Sequence, residues 1–178
     1  KTLYPDMPKS ILIRVNNKQM NPNHWTNDLE VGGGRIVSDA CHFIDLSIFI
    51  AQSRVVSISA DCALNHNNLD NTVSINLKFL NGSIASINYF SNGNEKLEKE
   101  YLEVYNNGIV SIIDDFNSLR VVDNRSKKIK YKYQDKGHSE CVRQFIKSIK
   151  EGNGSPIPFD EICHSSLVTL MASKSIKE

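Results

Sequence analysis

The 178-residue sequence has no apolar run of eighteen residues, so no stretch of it reads as a membrane-spanning helix. It has no signal-peptide pattern either, and the cytoplasm is the expected compartment. It lacks any C-x-x-C pair. The four cysteines, Cys41, Cys62, Cys141 and Cys163, are scattered through apolar contexts, which is the pattern of buried free thiols in a reducing compartment rather than of disulfides. No three ligands cluster at metal-like spacing, so no metal is expected. Charge of either sign is not in excess: 21 basic and 20 acidic residues leave a net charge of +1. That balance predicts neither a nucleic-acid surface nor an acidic tail. The basic cluster Lys127, Lys128 and Lys130 lies among tyrosines in a strand-like segment and reads as a solvated sheet edge. A dinucleotide fingerprint is missing as well: there is no G-x-G-x-x-G and no P-loop lysine. The chain begins at Lys1 without methionine and ends inside a helical pattern at Glu178, so a piece of a longer protein is expected.

Hydrophobic content of 40% and charged content of 23% are those of an ordinary folded domain, and the length suits a single domain over residues 1–178. Ser10 to Val15 alternates as a strand. A polar stretch from Asn16 to Glu30, with Pro22, His24 and the only tryptophan, Trp25, reads as a long ordered loop. From Gly34 to about Gln52 apolar residues recur at helical spacing: Ile36, Ala40, Phe43, Ile44 and Ile48. The period then changes to two. Strands are expected over Val55–Leu64, Asn71–Phe79, Ser83–Phe90, Tyr101–Tyr105, Ile109–Ile113, Leu119–Val122 and Ile129–Tyr133, with hairpin turns at Asn81-Gly82 and Asn107-Gly108. Tight turns between short strands imply an antiparallel meander. Cys141, Val142, Phe145, Ile146 and Ile149 define one face of a helix ended by Gly152, and a last helix begins near Phe159 with Ile162, Leu167, Leu170 and Met171 expected inward. The fold class is α+β, a largely antiparallel, open-faced mixed sheet with helices on one face.

The run Gly32-Gly33-Gly34-Arg35-Ile36-Val37-Ser38-Asp39-Ala40-Cys41-His42-Phe43-Ile44-Asp45 carries the chemistry. Arg35, Asp39 and His42 form one polar stripe on an otherwise apolar helix, and such groups are paired with one another or put to use. An acid near an imidazole raises its basicity, as a general base requires. An Arg35–Asp39 ion pair with His42 as a bystander fits the spacing equally well. Ser38 lies within reach of His42 but has no nucleophile elbow. Asn16, His24 and Trp25 could wall a sugar or nucleotide site, or could equally anchor their loop. Asp135-Lys136-Gly137-His138 reads best as a turn followed by a helix start.

The segment from His24-Trp25 through Gly32-Gly33-Gly34-Arg35 to Cys41-His42-Phe43-Ile44-Asp45 resembles the Gfo/Idh/MocA oxidoreductases. So does Asp135-Lys136-Gly137-His138 with the following helix and Pro156-Ile157-Pro158-Phe159-Asp160-Glu161-Ile162. The resemblance is to the C-terminal domain of that family. It implies a dihydrodipicolinate reductase-like fold whose open sheet face supports a homo-oligomer. It also implies a separate N-terminal Rossmann domain that binds NAD or NADP. The activity implied is hydride transfer to or from a sugar, cyclitol or nucleotide-sugar, and this chain alone would be inactive. His42 matches the family's catalytic histidine, with Asp39 beside it, and Asn16, Trp25, Arg35 and Ser38 are the candidate substrate contacts. Many members place the acid four residues before the histidine; here that position is Ser38 and the acid is Asp39. The alternative is a non-catalytic dimerisation or sugar-binding module, and the surroundings of His42 distinguish the two.

Overall fold

The computed structural model describes residues 4, 6–18, 21, 23–28, 30–63 and 71–176. Eight strands form one sheet: β1 (Ser10–Asn16), β2 (Val55–Cys62), β3 (Val73–Phe79), β4 (Ile84–Phe90), β5 (Glu100–Asn106), β6 (Ile109–Asp114), β7 (Ser118–Val122) and β8 (Ser126–Lys130). Their order across the sheet is β2-β3-β4-β1-β5-β6-β7-β8. The expected end of the second strand at Leu64, and Pro22 in the long loop, lie outside the described residues.

The hairpins form where the turn chemistry places them. Asn107 and Gly108 both take positive φ, 47° and 80°, as a two-residue turn between β5 and β6 requires. The expected mixed character of the sheet resides in one strand. β1 inserts between β4 and β5 and runs parallel to β4, with Ile13 opposite Ile87, so the sheet is mixed at its centre. β8 also starts three residues earlier than its tyrosines suggest, because the tight turn after Val122 puts Ser126 directly opposite it.

Period-two alternation assigns the faces. On β3, Val73, Ile75, Leu77 and Phe79 are buried while Asn76 and Lys78 are exposed. The buried side joins Ile11, Ile13 and Val15 of β1 and Ala85, Ile87 and Tyr89 of β4 in one core. Against it pack a π turn (Ile36–Ala40), helix α1 (Cys41–Ala51) and helix α3 (Phe159–Ser175), through Ile36, Ala40, Ile44, Ala51, Val168 and Ala172. The inward face of α3 differs from the expectation. Val168, Thr169 and Ala172 are buried, whereas Ile162, Leu167, Leu170 and Met171 are exposed. Small side chains let α3 lie close to α1 and β2, and the large ones point away. Helix α2 (His138–Glu151) buries no residue, and its apolar face of Val142, Phe145, Ile146 and Ile149 is open.

Both sheet edges are managed. On β2, the His164 ring Nε2 accepts from the Val55 N–H (3.1 Å) and Ser175 Oγ accepts from the Ala60 N–H (3.1 Å), so α3 caps outward-facing donors of that strand. On β8, exposed Lys127, Lys128 and Lys130 blunt the other edge. Two of the four cysteines depart from expectation: Cys141 and Cys163 are exposed, Cys41 and Cys62 half-buried, and none of the four is in a disulfide. Among the described residues no helix is long and apolar enough to cross a membrane.

Candidate functional site

The glycine run shapes the chain rather than cradling a ligand. The N–H groups of Gly32 and Gly33 donate to the Asp28 carbonyl at 2.8 and 3.1 Å. A Cβ on Gly32 would lie 2.5 Å from both Thr26 Cα and the Trp25 carbonyl oxygen, so only glycine lets the chain fold back on the Trp25–Asn27 turn. From there the chain enters the π turn, in which the Cys41 N–H reaches the Ile36 carbonyl five residues back. A π turn holds one residue more than an α turn, so an α-helical wheel does not set the angle between Asp39 and His42. Such turns occur often at functional sites.

Arg35 is 4% exposed and donates from Nη1 to Asp39 Oδ2, while its Nε and Nη2 have no acceptor. The same Asp39 oxygen accepts from the Tyr89 hydroxyl (3.2 Å) at the end of β4. Asn17 Nδ2 in turn donates to the Tyr89 oxygen at 2.9 Å. Burial pushes the Tyr89 hydroxyl up to about 12, so it stays protonated and able to donate at neutral pH. Asp39 is thus held by Arg35 and Tyr89 through one oxygen, and it borders a cavity of about 790 Å³.

His42, on the first turn of α1, lines the same cavity and is exposed. Among the described residues no group hydrogen-bonds its ring, which leaves the imidazole open to a ligand. The opposite wall comes from elements distant in sequence: Lys99 and Glu100 at the start of β5, Phe116 in the β6–β7 turn, Lys136 and His138 at the start of α2, and Pro156–Pro158 before α3. The cavity therefore brings together the two sequence segments, 35–45 and 135–138. The Asp135–Gly137 turn does form, with Asp135 Oδ1 accepting from the Gly137 N–H (2.8 Å), and it presents Lys136 and His138 to the cavity.

The other candidate residues stand elsewhere. Asn16 spends its side chain within its own neighbourhood: Nδ2 donates to the carbonyls of Asn94 (2.8 Å) and Leu97 (2.9 Å), and Oδ1 accepts from the Asn94 N–H (3.2 Å). Trp25 is 58% exposed, with its ring tilted against His24 at 5.8 Å, and it does not line the cavity. Ser38 Oγ is enclosed without a hydrogen-bond partner, outside the lining. Tyr89, Glu100 and Phe116 escaped sequence reasoning: a strand-end tyrosine, a strand-start glutamate and a turn phenylalanine carry no motif. Lys136 alone had a signal, through its place in the Asp135–His138 segment.

A family model described as the GFO/IDH/MocA C-terminal domain matches residues 8–106. Comparison with curated protein sequences returned no match. Among solved structures, the chain is similar to UDP-N-acetylglucosamine 3-dehydrogenase GnnA from Acidithiobacillus ferrooxidans (TM-score 0.78, 13% identity), covering 96% of this chain and 54% of that one. It is similar to an aldose-aldose oxidoreductase from Caulobacter crescentus complexed with glycerol (TM-score 0.80, 13% identity, 99% and 55%). It is also similar to a dehydrogenase (MviM) from Clostridium difficile (TM-score 0.76, 19% identity, 94% and 54%). At these identities the likeness is one of fold. The chain spans about half the length of the structures it matches.

Proposed function

Because this chain belongs to the GFO/IDH/MocA C-terminal domain family, we propose that it forms the substrate-binding and proton-handling part of an NAD(P)-dependent oxidoreductase. Its substrate would be a sugar, cyclitol or nucleotide-sugar. One observation carries the reading: His42 stands exposed and unheld on a cavity of about 790 Å³, beside an aspartate fixed by two partners. A non-catalytic module would instead be favoured by a His42 sealed in the core with no cavity beside it.

In this reading His42 takes the hydroxyl proton as the carbon is oxidised and returns it in the reverse direction. Asp39, held by Arg35 and Tyr89, places a carboxylate at the same wall of the cavity. The dinucleotide does not fit this chain. The lining carries Asp39, Asp45, Glu100 and Glu161 against Lys99 and Lys136, a poor host for a diphosphate, and among the described residues no glycine-rich turn joins a strand directly to a helix N-terminus. NAD or NADP, the hydride carrier, would be held by a separate Rossmann domain, so the chain alone would be inactive. The open apolar face of α2 supports that division, as do exposed Leu167, Leu170 and Met171 of α3, since a large exposed apolar surface marks a contact with another domain. Self-association through the open sheet face is part of the same proposal, with exposed Leu12, Ile84 and Tyr105 on that face.

The test is His42→Ala in the enzyme that carries both domains. Loss of a general acid/base lowers kcat by roughly 10²–10⁴-fold, with substrate binding largely kept. A near-normal kcat removes His42 from the chemistry.

A further inference from the structure

The wall of the cavity formed by Glu100, Phe116 and Lys136 has features that structural packing leaves unexplained. Glu100 is 7% exposed. Its Oε1 accepts from Lys136 Nζ at 2.8 Å, with Lys99 Nζ at 3.9 Å, but Oε2 is buried with no donor. A buried carboxylate oxygen without a donor is costly, and one ligand hydroxyl would relieve it. Lys136 gives one N–H to Glu100 and keeps two, and its ammonium lies 6.0 Å from the Phe116 ring centroid.

This arrangement is deliberately built. The Glu100 carbonyl accepts from the Asp115 N–H (2.7 Å), and the Asp115 carboxylate accepts from the Glu100 N–H (3.3 Å). The loop carrying Lys136 is laced to the same turn: the Tyr131 N–H donates to the Asn117 carbonyl (2.8 Å), Gln134 Nε2 to the Asp115 carbonyl (2.8 Å), and the Asp135 N–H to the Phe116 carbonyl (3.3 Å). The turn itself is strained, because Asp115 and Phe116, in the three-residue connection between β6 and β7, take φ of 48° and 53°, a region that favours glycine or asparagine. Holding a phenylalanine there costs about 1–2 kcal/mol, and what the chain gains is an aromatic surface on the cavity.

We infer that Glu100, Lys136 and Phe116 form a subsite for a neutral polyhydroxylated ring, with Glu100 and Lys136 taking adjacent hydroxyls as acceptor and donor and Phe116 lying against the ring's C–H face. The inference rests on the cavity being the substrate site, and it names a wall separate from His42. A phosphate is the poorer occupant: the Lys136 charge is already met by Glu100, and Asp39, Asp45 and Glu161 share the cavity.

The test is a titration of the full 178-residue chain with D-glucose, myo-inositol and inorganic phosphate, followed by amide chemical shifts in wild type, Glu100→Gln, Lys136→Met and, as a control on the same loop, Lys132→Met. At least one of the two polyols is expected to shift the amides of Glu100, Phe116 and Gly137 at millimolar concentration. Glu100→Gln and Lys136→Met should each raise its Kd roughly tenfold or more, and Lys132→Met should leave it unchanged. Lys136→Met decides alone if the buried Glu100→Gln variant fails to fold. The proposal is overturned if neither polyol shifts these amides, if phosphate shifts them more strongly, or if Lys136→Met binds as wild type does. Because the readout is binding, its failure is distinct from failure of the His42 proton role, which reads out in kcat.

Discussion

Replacing Asp39 by asparagine separates its service to Arg35 from any service to His42, because the two partners of the ion pair are buried unequally. Arg35 is 4% exposed and Asp39 32% exposed. Asp39→Asn leaves a buried guanidinium with no carboxylate, on a group whose Nε and Nη2 already lack acceptors. Breaking a buried pair in this sense costs about 3–5 kcal/mol, and water reaching the Asp39 side places the cost near ~3 kcal/mol. For a chain of this size that is a fall in Tm of roughly 6–12 °C. Arg35→Met removes the same pair from the other end. It leaves a carboxylate that water reaches and that still accepts from Tyr89, and methionine fills most of the vacated volume, so the cost is about 1 kcal/mol or less. The double variant should then be more stable than Asp39→Asn alone. Urea unfolding of the four proteins gives the cycle. Equal costs for the two single changes, or strictly additive costs in the double, would refute the argument that Asp39 exists to neutralise Arg35. If Arg35→Met also leaves kcat intact in the two-domain enzyme while Asp39→Asn lowers it, Asp39 serves the imidazole as well.

Two further outcomes follow from other contacts. Gly32→Ala puts a Cβ 2.5 Å from backbone atoms of Trp25 and Thr26, which must shift at a cost of about 1–3 kcal/mol; the single tryptophan reports it directly, and unchanged emission with unchanged Tm would contradict the close approach. His164 is held neutral in the fold, since burial lowers its pKa below the ordinary 6.5, with Arg54 adding to the shift, and its Nε2 accepts from the Val55 N–H. The unfolded chain therefore binds a proton more readily. This contribution to stability is complete above about pH 6.5 and declines as pH falls from there through the folded pKa. His164→Gln keeps an acceptor and should flatten that part of the profile; an unaltered slope between pH 5 and 7 would assign it to other groups.

The strands were legible because their signal is local. Alternation on 73–79 and the Asn-Gly pairs at 81–82 and 107–108 name both the faces and the turns. The central place of β1 was not, because its parallel partner lies some seventy residues away and its own residues say only that it is a strand. Reading Leu167, Leu170 and Met171 as inward failed for a different reason: bulk marks a surface that needs a partner, not which partner, and inside this chain α3 is held through Val168, Thr169 and Ala172. At the site, Arg35, Asp39 and His42 stood out as polar groups on an apolar helix. The π turn between them left no trace, since backbone hydrogen-bond slippage depends on packing. Glu100 and Phe116 were invisible because their meaning comes from a loop folded over them from residues 131–136.

The guarding of β2 by His164 and Ser175, and of β8 by its lysines, restricts how copies of this domain can meet. A strand from another molecule finds the outward N–H groups of Val55 and Ala60 on one side already taken, and on the other a row of ammonium groups that repels its like. Open-ended stacking, the route by which sheets become fibres, is therefore disfavoured at both edges. What remains free for contact is surface made of side chains, on the open sheet face and on the exposed sides of the helices.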